Sequence, residues 1–156
     1  MEVPGATGLL TPYMRIGVLC DHALVSQDGK LSLIGIFDRI AVPGLPVQHP
    51  RFFVVAVFDM APGDYTVRVE LIDPTGSNVL QEQGVEIPVG VTEPGQSGNL
   101  VAELNMLPLE FAGRYDFSLY VGAERIGSIS LTVDLGQPQL MPGMPGGPGM
   151  GPMGQA

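Results

Sequence analysis

The chain has 156 residues, 45% of them hydrophobic, which suits one core that needs neither a disulfide nor a metal to fold. With 16 acidic against 7 basic side chains it carries a net charge of −9. Such a surface repels phosphate backbones and anionic lipid, so nucleic acid and membrane are excluded as expected partners.

The lone cysteine, Cys20, rules out an internal disulfide framework and fits a reducing compartment. The amino terminus, Met1-Glu2-Val3-Pro4-Gly5, has an acid where a signal peptide carries cations. Apolar runs such as residues 52–58 are far too short to span a bilayer. A cytoplasmic location is expected.

Residues 1–12 are rich in Gly, Pro and Thr and read as a flexible lead-in. From Tyr13 the dominant period is two, the period of a strand. Met14, Ile16, Val18 and Cys20 share one face of a first strand. Asp28-Gly29 then marks a tight turn, because both residues tolerate positive φ. Residues 31–40 are apolar on both faces, which predicts a strand at a central position.

Residues 41–50, with Pro43, Gly44, Pro46 and Pro50, predict a loop. Residues 51–59 are the most hydrophobic segment and predict a strand buried on both sides. After a Pro62-Gly63-Asp64 turn, Tyr65, Val67, Val69 and Leu71 alternate with polar residues in a half-buried strand. Asp73-Pro74-Thr75-Gly76 is the next turn.

Residues 79–87 alternate less cleanly; there Gly84 suggests a bulge, and Pro88 just beyond them marks a sheet edge. Residues 90–98 predict a loop, and Leu100, Ala102, Leu104 and Met106 a further strand. Tyr115, Phe117, Leu119 and Val121, followed across Gly122-Ala123 by Ile129, Leu131 and Val133, form the clearest hairpin. No window carries a helical stripe, so helix should be minor.

About eight strands punctuated by turns predict an all-β fold, an antiparallel two-sheet sandwich of the immunoglobulin-like kind, with a barrel as the alternative. The segment Ala112-Gly113-Arg114-Tyr115-Asp116-Phe117 sharpens this. It resembles a tyrosine corner, in which a Tyr near the start of the penultimate strand bonds back to preceding backbone. Phe117 takes the place of the disulfide cysteine of antibody domains. The sandwich is expected over residues 13–135. Residues 136–156, dense in Gly and Pro with Met141, Met144, Met150 and Met153, are expected to be a disordered tail.

Reactive residues cluster only at Cys20-Asp21-His22, with Asp28 nearby. Two histidines and one thiol are too few for a convincing metal site. There is no Gly-x-Ser-x-Gly elbow and no phosphate-binding Gly-x-x-x-x-Gly-Lys-Ser/Thr loop. Neighbours on a strand point to opposite faces, so Asp21 is badly placed to orient His22 in a triad. No catalytic, cofactor-binding or metal-ligating residue is assigned, and no cofactor is expected.

Four segments together resemble a family of small bacterial β-sandwich proteins of unknown function, over residues 14–134. They are Leu19-Cys20-Asp21-His22-Ala23, Asp28-Gly29-Lys30-Leu31-Ser32-Leu33-Ile34-Gly35-Ile36-Phe37-Asp38, His49-Pro50-Arg51-Phe52 and the Gly113-x-Tyr115-x-Phe117 hairpin. The resemblance implies a cytoplasmic sandwich with no assigned activity, and it transfers no functional residues.

Read physically, Gly35 admits close approach of another backbone or a bulky ring. Arg39 and Arg51 flank the Pro-rich loop that holds His49. Binding residues concentrate on loops held by a rigid scaffold. A site, if the loop is more than a solvated connection, is expected at Asp21, His22, Arg39, His49 and Arg51.

The expected function is a non-enzymatic module that presents loops or a sheet edge to a partner protein. The alternatives are a small-molecule binder or hydrolase using Asp21, His22 and His49, and a self-assembling subunit that forms homo-oligomers.

Overall fold

The computed structural model describes residues 12–80 and 84–136. Nine strands follow one another: β1 (Tyr13–Val25), β2 (Leu31–Phe37), β3 (Arg39–Val42), β4 (Val47–Asp59), β5 (Gly63–Ile72), β6 (Val85–Val91), β7 (Ser97–Leu109), β8 (Gly113–Val121) and β9 (Glu124–Leu135). They build two packed sheets, the first in the order β2-β1-β4-β7 and the second in the order β3-β9-β8-β5-β6. Every pairing is antiparallel except β3 with β9. The fold is therefore the all-β sandwich that the period of two implies. Among the described residues no helix is long and apolar enough to cross a membrane.

Inward residues of both sheets fill the core. Phe52, Val54, Ala56 and Phe58 of β4 face Val67, Val69 and Leu71 of β5 and Phe117, Leu119 and Leu131 of β8 and β9, all nearly or fully buried. Each such side chain contributes roughly 1.5–3 kcal/mol by leaving water. An edge-to-face aromatic stack crosses the middle. Phe37 meets Phe52 at 5.7 Å between ring centres, and Phe52 meets Phe117 of the other sheet at 6.2 Å.

The tyrosine corner is present. Tyr115 is 1% exposed; its hydroxyl donates to the Phe111 carbonyl at 2.8 Å and accepts the Phe111 N–H at 3.2 Å. A second corner, unforeseen from the sequence, opens β5. There the Tyr65 hydroxyl donates to the Ala61 carbonyl at 2.6 Å.

Several expected boundaries are corrected. The single central strand expected over residues 31–40 divides at Asp38. Its first part, β2, is an edge of the first sheet, and its second, β3, crosses to the second sheet, where the Thr132 N–H bonds the Asp38 carbonyl at 2.9 Å. Apolar residues on both faces thus report a strand shared between two sheets. Leu19 pairs with Phe37 on one side of the break, and Ile40 and Val42 enter the core on the other.

The expected loop over residues 41–50 shrinks to 43–46, because β3 runs to Val42 and β4 starts at Val47. The loop expected over residues 90–98 shrinks likewise, between Val91 and Ser97. The strand expected over residues 79–87 is shifted to β6. Val79 stays outside it, its N–H bonded to the Leu71 carbonyl at 2.7 Å. Pro88 does lie in an edge strand, opposite Thr66. The tail beyond Gly136 and all of the lead-in but Pro12 lie outside the described residues.

Candidate functional site

Two backbone irregularities shape one end of the first sheet. In β7 the inward residues are Leu100, Ala102 and Leu104 before Met106, and Leu107 and Leu109 after it. Met106 has φ +52°, a left-handed conformation that re-aims the chain. By the β4–β7 register it stands opposite Pro50. Strand β4 changes phase in step: Phe52 points inward, and beyond Pro50 it is His49 that meets the Phe52 ring, at 5.3 Å.

A matching change crosses β1 and β2 at Asp21 and Gly35. Leu19 and Phe37 belong to the main core, whereas Cys20 packs on the outer face with Ala23, Leu31 and Leu33. Gly35 has φ +74°, and a Cβ there would overlap the Asp21 carboxylate. The close neighbour of Gly35 is thus a carboxylate and not the backbone or ring expected.

Between these irregularities Asp21, Gly35, Phe37, Arg39, Ile40 and His49, with Ile36, line an open pocket of about 330 Å³. Strands β1, β2 and β4 of the first sheet and β3 of the second each supply residues. Phe37 and His49 lie 6.5 Å apart, so the pocket's ring surfaces continue the core stack. Burial pushes the His49 pKa below its ordinary 6.5, with Asp21 pulling the other way, so the imidazole is neutral at pH 7. Arg39 is paired with Asp134 of β9, which holds the guanidinium at the rim.

Three of the five expected site residues therefore come together: Asp21, Arg39 and His49. They do so on strands, not on the expected loop. His22 lies outside, exposed and paired with Ile34 across the β1–β2 hairpin. Arg51 lies outside too. Plain alternation would put it on the same face as His49, but the change of phase at Pro50 turns His49 inward and leaves Arg51 on the outer face with Phe53. There it covers the Phe53 ring at 5.1 Å and bonds Glu103 at 2.6 Å. Phe37 and Ile40 were not foreseen as site residues; their apolar character reads equally well as core.

The remaining reactive groups are engaged elsewhere. Cys20 is fully buried, and burial raises its thiol pKa, which suits packing and not nucleophilic attack. Asp28 is held by the Ser26 hydroxyl at the hairpin tip, which lowers its pKa. Asp73 accepts the N–H groups of Thr75 and Ser77 at 2.8 and 3.0 Å and so organises its own turn. Among the described residues no three His, Cys, Asp or Glu side chains group as metal ligands do. A cleft of about 440 Å³ along the seam of β1 and β9 is lined by Gly17, Val18, Ser128 and Ser130 among others and offers little chemistry.

Fold and site together define a β-sandwich domain with a mixed apolar and charged pocket at the end of its core. The chain belongs to a family of unknown function (DUF6941), whose pattern matches residues 15–134. No curated protein matches its sequence.

Among solved structures, an immunoglobulin-like protein from Pseudomonas aeruginosa is similar at 13% identity and a TM-score of 0.40, covering 81% of this chain and 98% of that one. A β-glucosidase from Listeria innocua, solved with isofagomine, is similar at 14% identity and a TM-score of 0.45, covering 64% of this chain. An alkylpurine DNA glycosylase from Pseudomonas fluorescens is similar at 15% identity and a TM-score of 0.40, covering 76% of this chain. The chain spans 15% of the glucosidase and 30% of the glycosylase. Nothing of their activities is carried over.

Proposed function

We propose that the domain is a protein-interaction module that takes an anchoring side chain of a partner protein into the Asp21–Arg39–His49 pocket. One observation carries the reading: strands from both sheets meet so that ring surfaces form the pocket's apolar part and two charged residues its border. Interfaces draw most of their affinity from such an arrangement, an apolar or aromatic anchor in a desolvated pocket ringed by polar groups. At about 330 Å³ the pocket is at the small end of ligand sites and matches one large side chain better than a cofactor. The net charge of −9 and the Asp21 carboxylate favour an anchor flanked by Lys or Arg.

The alternative, a hydrolase using Asp21, His22 and His49, is less well supported because His22 stands apart and Cys20 is buried. A cytoplasmic setting, where such a module meets other proteins, is part of the proposal.

Selection of a random peptide library on the full chain tests it. The expected winners carry an aromatic or large aliphatic residue beside a basic one. Their affinity should fall on the order of tenfold or more with His49→Ala, the usual loss at an anchoring contact, while the melting temperature stays near that of the unmodified protein. Winners indifferent to His49→Ala and Asp21→Asn would overturn the proposal.

A further inference from the structure

We infer that the cleft between β1 and β9 is a docking groove for an extended segment of a partner protein, which adds to the unpaired half of β9 and sets a basic residue beside Asp38. The cleft's side chains carry little chemistry; what it offers is main chain.

The chain's change of sheet at Asp38 leaves two half-edges open on one side of the sandwich. Strand β2 pairs with β1 only as far as Leu19, so among the described residues 13–18 of β1 are paired with β4 alone. Strand β3 pairs with β9 only from Thr132 onward, so residues 127–131 of β9 are paired with β8 alone. The cleft of about 440 Å³ lies between these half-edges, with Gly17, Val18 and Leu19 on one side and Ser128, Ile129 and Ser130 on the other. Met14 closes the core behind it, since a Cβ added at Gly17 or at Gly127 would strike its side chain.

The direction of the free peptide groups follows from the ladder. The Thr132 N–H donates to the Asp38 carbonyl at 2.9 Å and the Gly136 N–H to the Val42 carbonyl at 2.7 Å, so even-numbered positions face the β3 side. The β8–β9 register is continuous from Gly127 to Val133. Alternation then turns the N–H and carbonyl groups of Ser128 and Ser130 toward the cleft. No strand of the described residues stands there. A guest strand would continue the row of β3 over residues 127–131, a length of roughly 17 Å. Main-chain groups left open in a row take an added strand, with hydrogen bonds supplying affinity and side-chain seats supplying choice.

Seats and charge name the partner. Ile36, 61% exposed, forms an apolar seat with Val18 and Phe37 at the side of the groove. The row ends at Asp38. Its carbonyl is taken by Thr132, but its side chain is exposed, and among the described residues no cation pairs with the carboxylate. Arg39 next to it is bound to Asp134. On a chain of net charge −9, that carboxylate selects a strand that presents Lys or Arg at this end. Ile36 and Phe37 also line the Asp21–Arg39–His49 pocket, but His49 does not line the cleft. The inference does not rest on the pocket's reading, and the two part at His49.

Amide hydrogen exchange of the full chain, followed by nuclear magnetic resonance, is the test. In the free chain Ser128 and Ser130 should exchange fast at every protein concentration, while Ile129 and Leu131, bonded across to β8, exchange slowly. The probes are blocked hexapeptides that alternate apolar residues with threonine and carry a lysine at one end or the other. Binding should slow exchange at Ser128 and Ser130. N-methylation of alternate peptide amides should weaken it on the order of tenfold in one phase and little in the other, since one edge of the peptide faces β9. Asp38→Lys, which keeps the main-chain bond to Thr132, should weaken it about fivefold and turn the preference to peptides ending in glutamate. His49→Ala should leave it unchanged, and melting temperature controls for folding in both variants. Slow exchange at Ser128 and Ser130 in the free chain overturns the inference: at every concentration it puts another segment of this chain on the edge, and only at high concentration a second copy. So does a failure of every peptide to protect them, binding indifferent to Asp38→Lys, or binding lost with His49→Ala.

Discussion

The second sheet and the pocket end of the first sheet solve the same packing problem differently. Along the middle of β5, β8 and β9 the alternation holds: Val67, Val69 and Leu71, then Tyr115, Phe117 and Leu119, then Ile129, Leu131 and Val133, all point inward. It slips only by the β8–β9 turn, where a bulge at Leu119/Tyr120 lets Ile126 join Ile129 in the core. At the pocket end of the first sheet the alternation changes phase twice, at Asp21/Gly35 and at Pro50/Met106. An unbroken strand can only fill the space between the sheets. A change of phase keeps the strand paired yet alters which residues face in, and here it brings His49 and Asp21 to the end of the core while Arg51 stays on the outer face. A binding surface is made without a long loop.

The largest expected effect is at the irregularity itself. Replacing Gly35 by Ala forces an L-residue into the left-handed region, which costs about 1–2 kcal/mol, and presses its methyl group on the Asp21 carboxylate. Gly29 is the comparison: its φ is +85°, but nothing lies within 4 Å of an added Cβ. Urea unfolding should therefore show Gly35→Ala losing more stability than Gly29→Ala, by roughly a further 1 kcal/mol of overpacking. Equal losses would mean that the Asp21 contact is slack and that conformation alone requires the glycine.

A smaller effect belongs to the regular half. Tyr115→Phe removes a hydroxyl that both donates to and accepts from Phe111, and should cost about 1–2 kcal/mol. Tyr65→Phe removes a single bond at a half-buried position, to Ala61, and should cost less. A loss at Tyr65 equal to that at Tyr115 would show that the β4–β5 corner contributes to the fold as much as the β7–β8 corner.

These contrasts also explain what was legible in the sequence. Alternation in residues 65–71 and 114–133 gave those strands almost to their ends, since each has one inner and one outer face. The Tyr115 corner was legible from its surroundings, and the Tyr65 corner was within reach: Gly63-Asp64-Tyr65 repeats the Gly-x-Tyr spacing of Gly113-Arg114-Tyr115. Residues 31–40 misled because apolar character on both faces has two causes, a central strand and a strand that changes sheets.

The site was half legible. Residue chemistry singled out Asp21, Arg39 and His49, but no local signal shows that Met106 adopts a positive φ. Without that, His49 and Arg51 look like members of one face.

The smallest expected effect concerns pH and tests whether His49 is part of the pocket at all. Burial against Phe52 and Phe37 disfavours the imidazolium more than Asp21 favours it, so the folded pKa lies below 6.5. In the unfolded chain both influences vanish and the ordinary value returns. Between the depressed folded pKa and about 6.5 the unfolded chain then binds more protons, and stability rises with pH across that window. Above it the neutral ring contributes in full; as pH falls through it, that contribution is lost. Arg39, its guanidinium held by Asp134, stays charged across the window. His49→Gln keeps a polar side chain but cannot titrate. The stability difference between the native protein and this variant, measured by urea unfolding, should be constant above neutrality and shift against the native protein as the solution is acidified past 6.5. Because the ring is only half-buried, solvent screening keeps the shift small. Nuclear magnetic resonance titration of the His49 ring gives the same quantity directly. A pKa at or above 6.5 would mean that Asp21 outweighs burial, and that the pocket holds a cation where the proposed anchoring contact needs a neutral ring.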